Sequence, residues 1–331
     1  MRRKPVVAAL LFGSLQTIAL AQQNRVTQSW EIPFTLYKQF MVVVQGAIGE
    51  VDGLNFLVDT GTNPSVVDKR ITRKLHLAGW KSSLPVVSGE VATGEVLVPS
   101  VNIGPVSRSQ VRMAIQDMTM LERDLGIRID AMIGLDVLGG QNFRIDYETR
   151  SITFGPTRSV PAGAAEFQSQ PPFVTVEMKM NRQPLHLLVD TGSPELVLFE
   201  SRIGPLSRLP GVNRISQNLN GEVALREVQL SETQLGATSF GAKRAYVASD
   251  RNRAAPFDGL LGVSALHVRQ ISFDFERRLF TWQGQDSWIP TMTGAEPGNC
   301  TVAEARAAMS QGLSRIRPGC IESHPQRLSP Q

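Results

Sequence analysis

The chain reads as short apolar runs separated by polar turns, with few stretches of helical period. Val42-Val43-Val44, Leu54 to Val58, Val96 to Val98 and Ile152 to Phe154 are apolar or β-branched runs of strand length. Phe173 to Met180 alternates, with Phe173, Thr175, Glu177 and Lys179 on one face and Val174, Val176, Met178 and Met180 on the other. Asn181-Arg182-Gln183-Pro184 then supplies a turn. Helices are predicted only over Ser65 to Leu75, Met118 to Leu125 and in the tail, where Thr301-Val302-Ala303-Glu304 is a capping box. The pattern predicts an all-β fold.

The pattern also repeats. Phe56-Leu57-Val58-Asp59-Thr60-Gly61-Thr62 returns as Leu187-Leu188-Val189-Asp190-Thr191-Gly192-Ser193, 131 positions on. Gly89-Glu90-Val91-Ala92, Glu95-Val96 and Gly104 return 132 positions on as Gly221-Glu222-Val223-Ala224, Glu227-Val228 and Gly236. Asp130 to Leu138 matches Asp258 to Leu266, and Ile145-Asp146-Tyr147-Glu148 matches Phe273-Asp274-Phe275-Glu276, both at an offset of 128. Four blocks in one order at near-constant spacing mean a duplicated unit. The expected division is 1–21 signal peptide, 22–155 first lobe, 156–171 linker, 172–284 second lobe and 285–331 polar tail. The linker is inferred from its prolines and glycines and its lack of period.

Composition adds little beyond compartment. Apolar content of 42% and charged content of 19% read as globular. Met1-Arg2-Arg3-Lys4, the apolar stretch Val6 to Leu20 and Ala19-Leu20-Ala21 have the form of a secretory signal cut after Ala21. Its loss takes Lys and Arg from 34 to 31 against 30 Asp and Glu, a net charge near +1. The basic balance of the whole chain therefore gives no reason to expect nucleic acid. An exported chain without a membrane span in its mature form is expected, periplasmic or extracellular and bacterial. Cys300 and Cys320 either close a tail disulfide or stand as free thiols, and export favours the disulfide.

Chemistry concentrates in the repeated turn. Two carboxylates brought together cannot both ionise easily, so one keeps a proton and the pair can act as acid and base on a single water. Asp59 and Asp190 are the expected pair. Gly61 and Gly192 let the two turns approach, Thr60 and Thr191 offer hydroxyls for bonds across to the opposite turn, and Thr62 and Ser193 are placed to donate to the carboxylates. Asp130, Asp146, Asp258 and Asp274 are expected to cap turns. No metal or other cofactor is expected: His76, His186, His267 and His324 lack a second ligand at metal spacing.

A hydrophobic run into Asp-Thr-Gly-Thr or Asp-Thr-Gly-Ser, followed downstream by two apolar residues and Gly, occurs once per half. In this the chain resembles the aspartic proteases over nearly all of residues 40–282. The resemblance implies two β-barrel-like lobes with a cleft between them, and a dyad of Asp59 and Asp190. It implies a cross-loop grip by Thr60 and Thr191, with Gly134 and Gly262 supporting the loops from beneath. Pepsin-like enzymes carry a flap tyrosine, but the only tyrosines are Tyr37, Tyr147 and Tyr246, none in the hairpin around Leu84 to Val98. Both halves keep the hairpin instead, at Gly89-Glu90-Val91 and Gly221-Glu222-Val223, so the likeness is to a fused, retropepsin-like pair with two flaps. The expected function is an aspartic endopeptidase, active as a monomer on peptide or protein substrates. The alternative is a catalytically silent, exported peptide-binding protein on the same fold.

Overall fold

The computed structural model describes residues 29–86, 89–156, 161–170, 173–218, 221–249 and 255–284. The expected signal peptide, Cys300, Cys320 and the tail helix lie outside the described residues. What is described is mostly strand and duplicated, as the repeats predict.

Each lobe is a curved sheet organised around one buried strand. Val51–Val58 pairs antiparallel with Met41–Ile48 and parallel with the short strand Ala131–Ile133. Ala131–Ile133 also pairs antiparallel with Val66–Asp68, so it lies between the strands that lead into and out of the Asp59 turn. A strand flanked on both edges and covered on both faces must be apolar throughout, which is why Phe56-Leu57-Val58 does not alternate. Phe56 and Val58 enter the main core, whereas Leu57 joins a separate cluster with Val43, Val66, Leu84 and Met132. The second lobe repeats this: Gln183–Asp190 pairs with Phe173–Met180 and parallel with Gly259–Gly262, which pairs antiparallel with Leu196–Phe199. There Leu187 and Val189 face the core and Leu188 the second cluster. In both lobes a further pairing curls the sheet on itself, Ala47↔Asn102 in the first and Met178↔Leu235 in the second.

A six-stranded sheet joins the lobes. Phe143–Asp146 pairs antiparallel with Gln270–Asp274 at its centre. Outward follow Ser151–Phe154 and Trp30–Pro33 on one side, and Leu279–Gln283 and Gly163–Gln170 on the other. The central rings of Phe143 and Phe273 stack at 4.7 Å between centroids. Asn142 accepts the Phe275 N–H at 2.8 Å across the junction.

Three expectations change. The segment 156–171 is not wholly a connector, because Gly163–Gln170 is a strand that pairs with both Leu279–Gln283 and Phe173–Met180. Its alternation of buried Ala165 and Phe167 with exposed Glu166 and Gln168 is short and framed by prolines, and a Cβ at Gly163 would collide with the Trp282 ring. The helix over Ser65 to Leu75 shortens to Lys69–Lys74, because Val66–Asp68 is drawn into the sheet. Asp68 caps it, accepting the Arg70 N–H at 2.7 Å. The helix over Met118 to Leu125 forms as Thr119–Leu125 and stops at Gly126, whose φ of 72° is left-handed. No helix among the described residues is long and apolar enough to cross a membrane.

Candidate active site

The two turns meet where the lobes face each other. The Thr60 hydroxyl donates to the Val189 carbonyl at 2.7 Å and accepts the Thr191 N–H at 3.1 Å. Thr191 mirrors it, donating to the Val58 carbonyl and accepting the Thr60 N–H, both at 3.0 Å. Neither threonine has any exposed surface. The glycines set the approach: a Cβ at Gly61 would lie 2.6 Å from the Asp190 Cγ, and one at Gly192 2.5 Å from the Asp59 Cγ. Any side chain there would push the opposite acid away.

Asp59 and Asp190 are each 8% exposed and in direct contact with one another. The Asp59 carboxylate accepts the Gly61 N–H at 2.9 Å. Asp190 accepts those of Gly192 at 2.8 Å and Ser193 at 3.1 Å. Burial raises both carboxyls above the usual range, since it disfavours the charged form. For Asp59 the Gly61 N–H and the bond from Asp190 act against burial. For Asp190 the nearby charge of Asp59 adds to burial and drives it well above an ordinary carboxyl. The two carboxyls therefore titrate as a pair, and in the singly protonated form one proton is shared between them.

The supporting residues divide. A Cβ at Gly134 would collide with the Thr62 carbonyl, and one at Gly262 would lie 2.5 Å from the Ser193 carbonyl oxygen and the Glu195 nitrogen, so both glycines pack directly beneath the turns. Thr62 and Ser193 act differently from expectation. Ser193 reaches Asp190 through its backbone N–H while its hydroxyl lies 3.4 Å from both the nitrogen and the carbonyl oxygen of Glu195, and it is the Thr62 N–H that favours the charged form of Asp59. In so tight a turn the backbone N–H groups already point at the carboxylate, leaving the Ser193 hydroxyl to bond locally. Asp130 and Asp258 are not turn caps either. Asp130 accepts the Asn55 N–H at 2.9 Å and Asp258 the His186 N–H at 2.8 Å, fixing each buried strand four residues before its acid. Asp146 and Asp274 do cap turns, accepting N–H groups of Glu148, Thr149 and Arg277.

Both repeated hairpins form. Val86 pairs with Gly89 and Val91 with Leu84 in the first lobe; Asn218 pairs with Gly221 and Val223 with Ser216 in the second. Their tips, and the side chains of Glu90 and Glu222, lie outside the described residues. Sequence reasoning missed a clamp under the first turn. Asp136 accepts both the hydroxyl of Ser65 at 2.5 Å and its N–H at 2.8 Å, and the Ser65 hydroxyl accepts the Gly134 N–H at 2.9 Å. The signal was available as a break in the repeat, since Asp136 falls where the second half has Ser264. Among the described residues, no group of three or more His, Cys, Asp or Glu side chains is arranged to hold a metal ion.

No curated protein matches the chain. The sequence model of the aspartyl protease family matches it twice, over residues 44–137 and 176–265, one match per lobe. The two matches span more than half of the chain and contain both Asp-Thr-Gly turns, so the protein belongs to the aspartyl protease family.

Proposed function

We propose that the protein is an exported aspartic endopeptidase that hydrolyses peptide bonds with a water held between Asp59 and Asp190. The observation that carries this is the pair of mirrored carboxyls, buried and in direct contact, held by reciprocal bonds between the two turns. Ionised Asp59 takes a proton from the water as its oxygen attacks the peptide carbonyl carbon. Asp190 gives its proton to the carbonyl oxygen, so the tetrahedral intermediate forms without net charge. Collapse returns the hydroxyl proton to Asp190, Asp59 protonates the leaving nitrogen, and the C–N bond breaks. The cross-bonded threonines hold the carboxyls in place, so little of the reaction barrier goes into arranging them.

Both acids lie on one chain, so a monomer suffices, and activity per molecule should not fall on dilution. Export predicts a mature N-terminus at Gln22, which N-terminal sequencing of protein from the producing cell reads directly, together with its periplasmic or extracellular compartment. Asp59→Asn and Asp190→Asn should each reduce cleavage of a diverse peptide library by at least about a hundredfold, by analogy with general acid–base contributions of about 10²–10⁴ per group. Circular dichroism should be unchanged. Peptides bound but never cut by the parent protein would support the silent-binder reading and end this one.

A further inference from the structure

The two walls beside the acids are built from matching strands but carry different chemistry. In the first lobe, register aligns Val66, Ala114, Glu95 and Trp80 across neighbouring strands. The second lobe aligns Val197, Tyr246, Glu227 and Val212 in the same way. One step nearer the Asp190 turn, the ladder continues through the Glu195 carbonyl, which accepts the Gly262 N–H at 3.0 Å. Glu195 therefore shares a face with Val197. Val197 in turn clusters with Leu188, which lies two residues before Asp190 and on its face. Glu195 stands five residues after Asp190; the first lobe has Pro64 at that place.

Glu195 is half-buried, and among the described residues its carboxylate has no hydrogen bond or ion pair. Two arginines of the neighbouring strands also engage other groups. Arg214 Nε is 2.9 Å from Glu227 Oε2, and the Arg244 guanidinium lies 5.9 Å from the centre of the Tyr246 ring. Burial raises the Glu195 carboxyl, with Arg244 opposing and Glu227 adding to the rise. A carboxylate that has lost water without gaining donors gains most from an incoming cation that brings them.

We infer that Glu195 determines specificity in the cleft, accepting the ammonium or guanidinium of a substrate Lys or Arg that lies on the second-lobe side of the scissile bond. This rests on the peptidase reading above. The first-lobe wall has Pro64 in the place of Glu195 and Ala114 in that of Tyr246, and its one aligned carboxylate, Glu95, already accepts the Ser82 hydroxyl at 2.8 Å and lies 3.6 Å from Arg112. The asymmetry therefore orients the peptide as well as selecting it.

Peptides identical except for Lys, Gln or Glu at each position near the cleaved bond test this, with the parent protein, Glu195→Gln and Glu195→Lys. The parent should favour Lys over Gln at one position by about tenfold to a hundredfold in kcat/KM, the range of a charged hydrogen bond. Glu195→Gln keeps the backbone bonds and side-chain shape, and should bring that ratio close to one. Glu195→Lys should favour Glu at the same position. A parent that cleaves peptides with no basic preference anywhere overturns the inference and leaves the peptidase reading standing, as does a preference that survives in Glu195→Gln. Failure to cleave any peptide ends both.

Discussion

Replacing Thr60 by Val keeps the branched shape of the side chain and deletes one buried hydroxyl. That hydroxyl serves two backbone groups of the opposite lobe, the Val189 carbonyl and the Thr191 N–H. Water cannot replace it, because the site has no exposed surface. Each stranded group costs about 1–3 kcal/mol, so the pair should cost roughly 3 kcal/mol after some relaxation. With a urea m-value of about 3 kcal/mol/M, the unfolding midpoint falls by about 1 M. Thr191→Val is the mirror experiment, stranding the Val58 carbonyl and the Thr60 N–H, and should cost a similar amount. Thr60→Ser retains both bonds and loses only a methyl group, about 1 kcal/mol. Urea unfolding followed by tryptophan fluorescence measures all three. The reasoning is refuted if Thr60→Val stays within 0.5 kcal/mol of the parent, or if Thr60→Ser is equally damaging; ~0.5 kcal/mol is the scatter of ordinary surface changes.

Gly192→Ala would bring a methyl to 2.5 Å from the Asp59 Cγ, where ordinary contact begins at 3.4 Å, so the acid must move by about an ångström. A displacement of that size costs about a hundredfold in kcat/KM, which steady-state kinetics on a library-derived peptide would read; a loss under threefold would contradict the close approach. Both acids are raised above the reference of 3.8, so the folded chain holds more protons than the unfolded one between the ordinary and the raised values. Their contribution to stability is complete below about pH 4 and is lost as pH rises through the raised values. Asp190→Asn breaks the pair, so its melting temperature should fall less than the parent's between acid and neutral pH, and parallel curves would be the failing result. Activity should decline over the same upper range, because the dyad needs its one proton.

Much of this site was legible in the chain because its signals are local or repeated. Phe56-Leu57-Val58 and Leu187-Leu188-Val189 record strands buried on both faces, and the constant offsets record that the two strands do the same work. The glycines at 61, 192, 134 and 262 were also readable, since a missing Cβ leaves a mark on the sequence wherever two backbones must touch. Less legible were partners separated by many residues. Asp130 looked like a turn acid but bonds Asn55, 75 positions away, and Ser65 meets Asp136 at a separation of 71. The strand Gly163–Gln170 was hidden because its pairing partners lie before and after it in space, while its own residues carry a weak period.

The sequence by itself determined that there would be two equivalent acids on a duplicated β framework, because strand burial and turn chemistry are written into adjacent residues. Only the tertiary structure decided that the acids act as one coupled pair. Their raised carboxyls depend on burial, on the backbone N–H groups each accepts and on the neighbour across the lobe interface. The same is true of Glu195, an unremarkable acid in a loop until the sheet sets it half-buried on the face of Val197, with no hydrogen bond to its carboxylate among the described residues. Electrostatic energies depend on distance and burial in space, and residues 131 apart in the chain acquire both only when the lobes close on each other.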